Sequence, residues 1–249
     1  MIKGSFKDRV GEVHTTKEGY VVEIISCTHN SCCTIRFLYN DFIKYNVDFA
    51  DIKRGEIKNP YHASVFSIGY IGEGEYKTKE NYKMTGCYRK WVGILKRAYG
   101  STKYYEYVTV DERWHNFQNF AKWYEENWKP EYMDKTWHLD KDILIKGNKV
   151  YSPETCCFVP VEINSLFTRT NSKRGKYPIG VCMNKSNGRF LATLKAKKFS
   201  KSYNTPEEAF QAYKIEKEKY IKEVADKWKP LIKQDIYEVM YNYKVKIDD

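Results

Sequence analysis

The 249-residue chain has no apolar run approaching the ~18–20 residues of a membrane span, and its start, MIKGSFKDRVGEVH, lacks the apolar centre of a secretory signal. A soluble cytoplasmic protein with no membrane partner is the expectation. The seven cysteines are odd in number and include the adjacent pairs Cys32–Cys33 and Cys156–Cys157, which makes a poor disulfide framework, so reduced thiols are expected. Cys27, Cys32 and Cys33 lie near His29, but no second pair of ligands at zinc-site spacing follows. The reading left to them is that of small strand-buried hydrophobes. The glycines of IGYIGEGEYKT, Gly69, Gly72 and Gly74, lack the Lys-Ser/Thr of a phosphate loop and read as a linker or turn.

Acidic residues are missing from one long stretch. Between Glu162 and Glu207 there is none, whereas Arg169, Lys173, Arg174, Lys176, Lys185, Arg189, Lys195, Lys197, Lys198 and Lys201 all fall there. With a net charge of +11 and a pI near 9.1, this block favours a polyanionic partner, because neutralising phosphates releases their counterions. A solvated charged face is the plainer alternative.

What is present is enough for real cores, with 42% hydrophobic residues. YVVEII, CCTIRFLY and VDFADI read as strands of a small β module within residues 10–60. Beyond residue 83 the period becomes helical. Tyr88, Trp91, Leu95, Ala98 and Tyr99 share a face that Gly100 closes, and Trp114, Phe117, Ala121 and Tyr124 follow after a short strand with Asp111 as a possible N-cap. This aromatic stripe reads as core packing.

WHLDKDIL, a turn at KGNK, VYSPETCCFV and then VEINSLF make a hairpin running into a helix, with Pro160 suited to the first turn. The period of two puts His138 and Asp140 on one strand face, and the helix brings Asn164 across the fold. Oxygen ligands of this kind suit a hard divalent cation such as Mg2+ or Mn2+. His115 reads as a helix-surface residue, and His14, His29 and His62 have no evident partners.

From Asn81 to Phe167 the chain resembles the phage-type HNH endonucleases of the ββα-metal class. The matching residues are Cys87, Tyr88, Trp91, Tyr99 and Gly100, then Trp114, Phe117, Phe120 and Trp123, then Leu139, Asp140, Asp142, Gly147, Asn148, Tyr151, Ser152, Pro153, Glu154, Cys156, Val159 and Asn164. The resemblance implies metal-dependent hydrolysis of a DNA phosphodiester, with Asp140 and Asn164 as metal ligands. It also exposes a departure, since the water-activating histidine of such sites directly follows the metal aspartate and here Lys141 stands in that place. His138 is the substitute base, with Lys141 assigned to the phosphate.

The last third predicts three strands, YPIGVCMNK, RFLATLKA and KKFSKSYN, then a helix capped by Thr205 with Pro206 in its first turn. KQDIYEVMYNYKVKI reads as a short helix and a final strand. This part is similar to the ethylene-response-factor type of DNA-binding domain through Gly180, Val181, Arg189, Leu191, Ala192, Phe199 and the Asn204–Tyr213 helix start. The similarity implies a sheet laid in the major groove, with Arg174, Lys176, Lys185, Arg189, Lys195, Lys197 and Lys198 as DNA-binding residues.

The expectation is therefore an α+β protein in three parts. A small β-rich module (1–76) precedes a ββα-metal nuclease core (77–170), and a three-stranded antiparallel sheet packed on a helix follows (171–249). A metal-dependent HNH endonuclease on double-stranded DNA, in the homing style, is one reading of its function. A catalytically degenerate, sequence-tolerant DNA-binding protein is the rival, and an RNA-binding factor is a third.

Overall fold

Val22, Ile24, Ile35 and Phe37 are buried while their strand neighbours are not, and this alternation builds the amino-terminal sheet. The computed structural model describes residues 8–100, 107–129, 131–132, 136–167, 176–195 and 197–247, with the side chains of Lys197, Lys198 and Ser200 outside that description. It is a mixed α and β structure with several antiparallel sheets. Contacts divide the chain into two units, one of residues 1–101 and 112–122, the other of 102–111 and 123–249.

In the first unit β1 (Val13–Thr15), β2 (Val21–His29), β3 (Cys32–Phe37) and β4 (Ile43–Val47) form one antiparallel sheet in sequence order. Helix α1 (Phe49–Arg54) follows where the sequence predicts that the strand VDFADI continues. The reason is local: the Asp48 carboxylate accepts the Ala50 N–H at 2.7 Å, an N-cap that starts a helix at Phe49. Cys27 and Cys33 are cross-strand partners joined by a disulfide, which corrects the expectation of reduced thiols throughout.

After a short exposed hairpin, β5 (Lys79–Glu80) and β6 (Lys83–Met84), helix α2 (Gly86–Tyr99) begins at Thr85, whose hydroxyl accepts the Tyr88 N–H. Trp91 is fully buried and donates its indole N–H to the Trp114 carbonyl at 2.7 Å. Trp114 lies in a 3₁₀ turn (Glu112–His115), so Asp111 precedes this turn and not an α-helix. Helix α3 (Phe117–Asn127) follows. The glycine segment expected as a linker is close-packed. A Cβ on Gly69 would meet the Leu95 side chain at 2.4 Å, so only glycine fits against α2 there.

In the second unit β7 (Thr109–Val110) runs parallel to β9 (Val150–Tyr151), and β8 (Trp137–Asp140) pairs antiparallel with β10 (Cys157–Pro160). Helix α4 (Val161–Phe167) leaves β10 directly, Pro160 being the last strand residue. β11 (Val181–Met183), β12 (Phe190–Leu194) and β13 (Lys197–Tyr203) make the expected antiparallel sheet. The long α5 (Pro206–Trp228) carries a full capping box between Thr205 and Glu208, and α6 (Gln234–Tyr241) follows. Beyond α6 no strand forms among the described residues. Val245 is nonetheless buried, and its N–H is taken by Glu218 at 2.9 Å.

Helices α4 and α5 are latched. Glu162 accepts from Lys227 at 2.5 Å and from the Trp228 indole at 2.9 Å, and Lys217 donates to the Leu166 carbonyl at 3.1 Å. No helix among the described residues is long and apolar enough to cross a membrane.

Candidate metal centre and basic sheet

Strand β8 alternates as the sequence suggests. Trp137 and Leu139 are buried, whereas His138 and Asp140 are half-buried on the opposite face. Antiparallel pairing sets Cys157 beside Asp140 and Val159 beside His138. Because α4 begins one residue after β10, Asn164 at its second turn returns to β8, and its Nδ2 lies 3.2 Å from His138 Nδ1. The structure thus joins two of the expected site residues directly.

Asp140 is fixed by its own backbone. Its Oδ1 accepts the N–H groups of Asp142 at 2.8 Å and Ile143 at 2.9 Å, which leaves Oδ2 for another partner. Burial pushes the Asp140 carboxyl above the usual range, and the nearby Asp142 charge adds to the rise. A buried carboxylate of raised pKa is stabilised by a cation. With an asparagine oxygen it forms a hard donor set that fits magnesium, which takes one or two carboxylates and keeps several waters. Among the described residues no group of three or more His, Cys, Asp or Glu gathers to hold a metal. The two neighbouring thiols do not enlarge the set: burial pushes Cys156 up to about 12 and Cys157 well above its ordinary value, so both stay protonated.

Lys141 does not face the same way. Its side chain is only 12% exposed, and its Nζ pairs with Asp142 Oδ2 at 3.2 Å. The loop that follows is laced by Asn148, whose Nδ2 donates to the Lys141 and Val150 carbonyls, each at 2.7 Å. Gly147 supplies the positive φ of 84° that this turn requires. Thr155 Oγ1 donates to the Val150 carbonyl at 3.0 Å, and the Trp123 indole donates to the Pro153 carbonyl at 3.2 Å. Asn148, Pro153 and Trp123, which match the motif in the sequence, are therefore the scaffold of the hairpin.

The other histidines have local partners that the sequence does not reveal. His62 Nδ1 meets the Tyr20 hydroxyl at 3.0 Å, His29 Nδ1 meets Ser31 Oγ at 2.8 Å, and His14 Nε2 lies 3.4 Å from Glu12. His115 is half-buried against the Tyr99 hydroxyl at 3.3 Å, a packed place instead of the expected helix surface.

In the three-stranded sheet Ala192 is fully buried, and β12 packs against α5. Gly180, at φ 74°, admits Tyr213 of α5 so closely that a Cβ there would sit 2.1 Å from the ring. Arg189 is exposed and donates to the Ser202 carbonyl at 3.2 Å, while Lys185 is exposed in the β11–β12 turn. Lys176 is exposed, its ammonium 5.1 Å from the Tyr177 ring centroid. Lys195 turns out of β12 at φ 51° and holds its ammonium 4.0 Å over the Tyr220 ring of α5, so it sits on the helix side. Lys197 and Lys198 pair with Leu194 and Thr193 along the backbone, but their side chains, like all of Arg174, lie outside the described residues.

Comparison with protein-family models, with curated proteins and with solved structures finds no match.

Proposed function

We propose that this protein is a metal-dependent DNA endonuclease of the HNH type, centred on β8, β10 and α4. The observation that carries the reading is the contact of His138 with Asn164 beside the buried Asp140. A strand-borne imidazole, a helix-borne amide and a desolvated carboxylate meet on a ββα unit in the order that the resemblance implies.

In this reading Asp140 Oδ2 and Asn164 Oδ1 hold the magnesium or manganese ion, which when bound neutralises charge on the phosphate and its leaving oxygen. His138 takes the proton from the attacking water. Asn164 and His138 orient one another, and the tautomer decides the base: when the amide oxygen accepts from Nδ1–H, Nε2 is left to receive the proton. Lys141, tied to Asp142, contributes positive charge near the phosphate and no base. Lys176, Lys185 and Arg189 supply contacts to the duplex backbone, and the surplus of cations over acids in this part supports a DNA partner.

The rival is a DNA-binding protein with a degenerate core, and the specific observation in its favour is Lys141 at the usual base position, engaged in an ion pair. One substitution separates the two. If His138 already serves as base, Lys141→His changes the rate of DNA nicking less than tenfold. If the core is degenerate for want of a base, the wild type does not nick in magnesium or manganese and Lys141→His creates the activity.

A further inference from the structure

Residues 1–76 do not share the basic character of the rest. They carry nine Lys/Arg against ten Asp/Glu, so the positive excess lies entirely beyond them. Within the first unit, beside β4, is a cleft of about 640 Å³, in the size range of small-ligand sites. Phe42, Ile43, Pro60 and Ile71 give it apolar walls, and Glu18 and Glu73 bring two carboxylates.

Asn59 also lines this cleft and is only 4% exposed, yet its Nδ2 has no hydrogen-bond partner among the described residues. Its orientation is fixed. Oδ1 accepts the Tyr61 N–H at 2.9 Å, so the amide cannot turn over without facing a donor with a donor. Tyr61 itself packs edge-on against Phe42, with ring centroids 5.6 Å apart, and its hydroxyl donates to Glu73 at 2.9 Å. Glu18 accepts the Asn59 N–H at 3.1 Å. Each carboxylate keeps further lone pairs. A buried donor left unpaired costs free energy, and a ligand acceptor would recover it.

The occupant must be flat enough for apolar walls, must accept from Asn59 and must donate to the two carboxylates. Lysine and arginine side chains carry donors only and would leave Nδ2 opposed. Anions without donors are repelled by Glu18 and Glu73. We infer that this cleft binds a nucleobase bearing an exocyclic amine, whether as a free nucleoside or as one base of a single strand. The ring nitrogen or carbonyl accepts from Asn59, and the amine donates to Glu18 and Glu73. Uracil and thymine have no exocyclic amine and fit less well.

The test uses the full chain and isothermal titration with cytidine, adenosine, guanosine and uridine, and separately with oligo(dC) and oligo(dT). The two oligonucleotides present identical phosphates, so contributions from the basic sheet cancel between them. The expected result is saturable binding of at least one amine-bearing nucleoside, about tenfold tighter than uridine, or the same preference of oligo(dC) over oligo(dT). Binding confined to the oligonucleotide makes the ligand a strand, and binding of nucleosides makes it a free base. Asn59→Asp keeps the acceptor for Tyr61 and removes the donor, and Glu73→Ala alters an exposed residue with little risk to folding. Either variant is expected to abolish the preference. No binding of any probe, equal binding of uridine, or a preference that survives Glu73→Ala would overturn the proposal. None of these outcomes depends on DNA cleavage.

Discussion

His138 Nδ1 and Asn164 Nδ2 lie 3.2 Å apart, tying strand β8 to helix α4 across 26 residues of chain. The contact exists because α4 starts immediately after β10, whose register with β8 leaves no room for slippage. The pair therefore acts as a unit. Asn164→Ala is expected to weaken magnesium binding and to lower the cleavage rate by about 10- to 100-fold, the usual effect of removing an oriented ligand, while His138→Ala lowers the rate with metal affinity retained. Metal titrations alongside single-turnover cleavage check both.

Asp140 is raised in pKa by burial, with Asp142 adding to the effect, and the sign of the consequence follows. The folded state holds this proton to higher pH than the unfolded chain, so stability falls as pH rises from the ordinary carboxylate range through the raised value. Asp140→Asn keeps an oxygen to accept from Asp142 and Ile143 and removes the buried charge. Thermal unfolding at neutral pH without metal is expected to show a Tm raised by a few degrees, and added magnesium should stabilise the wild type but not the variant.

Glu162 behaves in the opposite way. Hydrogen bonding from Lys227, then from Trp228, holds its carboxyl below the usual range. Its contribution is present above the unfolded pKa and is lost as pH falls through the lower folded value. Glu162→Ala should cost about 1 kcal/mol in urea unfolding near neutrality, a modest figure because the pair is partly solvated, and this loss should shrink in strong acid.

Gly180 is the point where β11 and α5 touch. Gly180→Ala forces a Cβ into the Tyr213 ring at a positive φ, and a loss of about 2–3 kcal/mol is expected from overpacking and backbone strain together. Urea titration followed by circular dichroism measures it.

Cations of the sheet should not be equivalent. Arg189 and Lys185 are exposed away from α5, so replacing either by Ala should lower the salt slope of DNA binding by about 0.9 for each phosphate that the side chain neutralises. Lys195 is spent on Tyr220, and Lys195→Ala should leave that slope nearly unchanged.

Much of this arrangement is legible in the sequence because local chemistry and global packing agree. The period of two in WHLD places His138 and Asp140 on one face, and Thr205 with Glu208 marks the start of α5. Sequence and structure part where a short side-chain contact outweighs propensity. Asp48 caps a helix inside a β-rich run, and Val245 is buried without a strand because Glu218 satisfies its N–H. The partners of His62 and His115 are 42 and 16 residues away, distances at which a single sequence carries no pattern. Lys141 stands out by position, but its ion pair with Asp142 depends on the fold of the loop. Asn59 carries no sequence signal, since an unpaired amide is visible only once its neighbours are placed.

The most direct test of the nuclease reading is incubation of the purified protein with supercoiled plasmid and with phage or host DNA, in magnesium, in manganese and in chelator, beside Asp140→Ala. The expected result is nicking or linearisation that requires the metal and disappears with Asp140→Ala. Cleavage that persists in chelator or in Asp140→Ala, or salt-sensitive DNA binding without cleavage on every substrate, would contradict it.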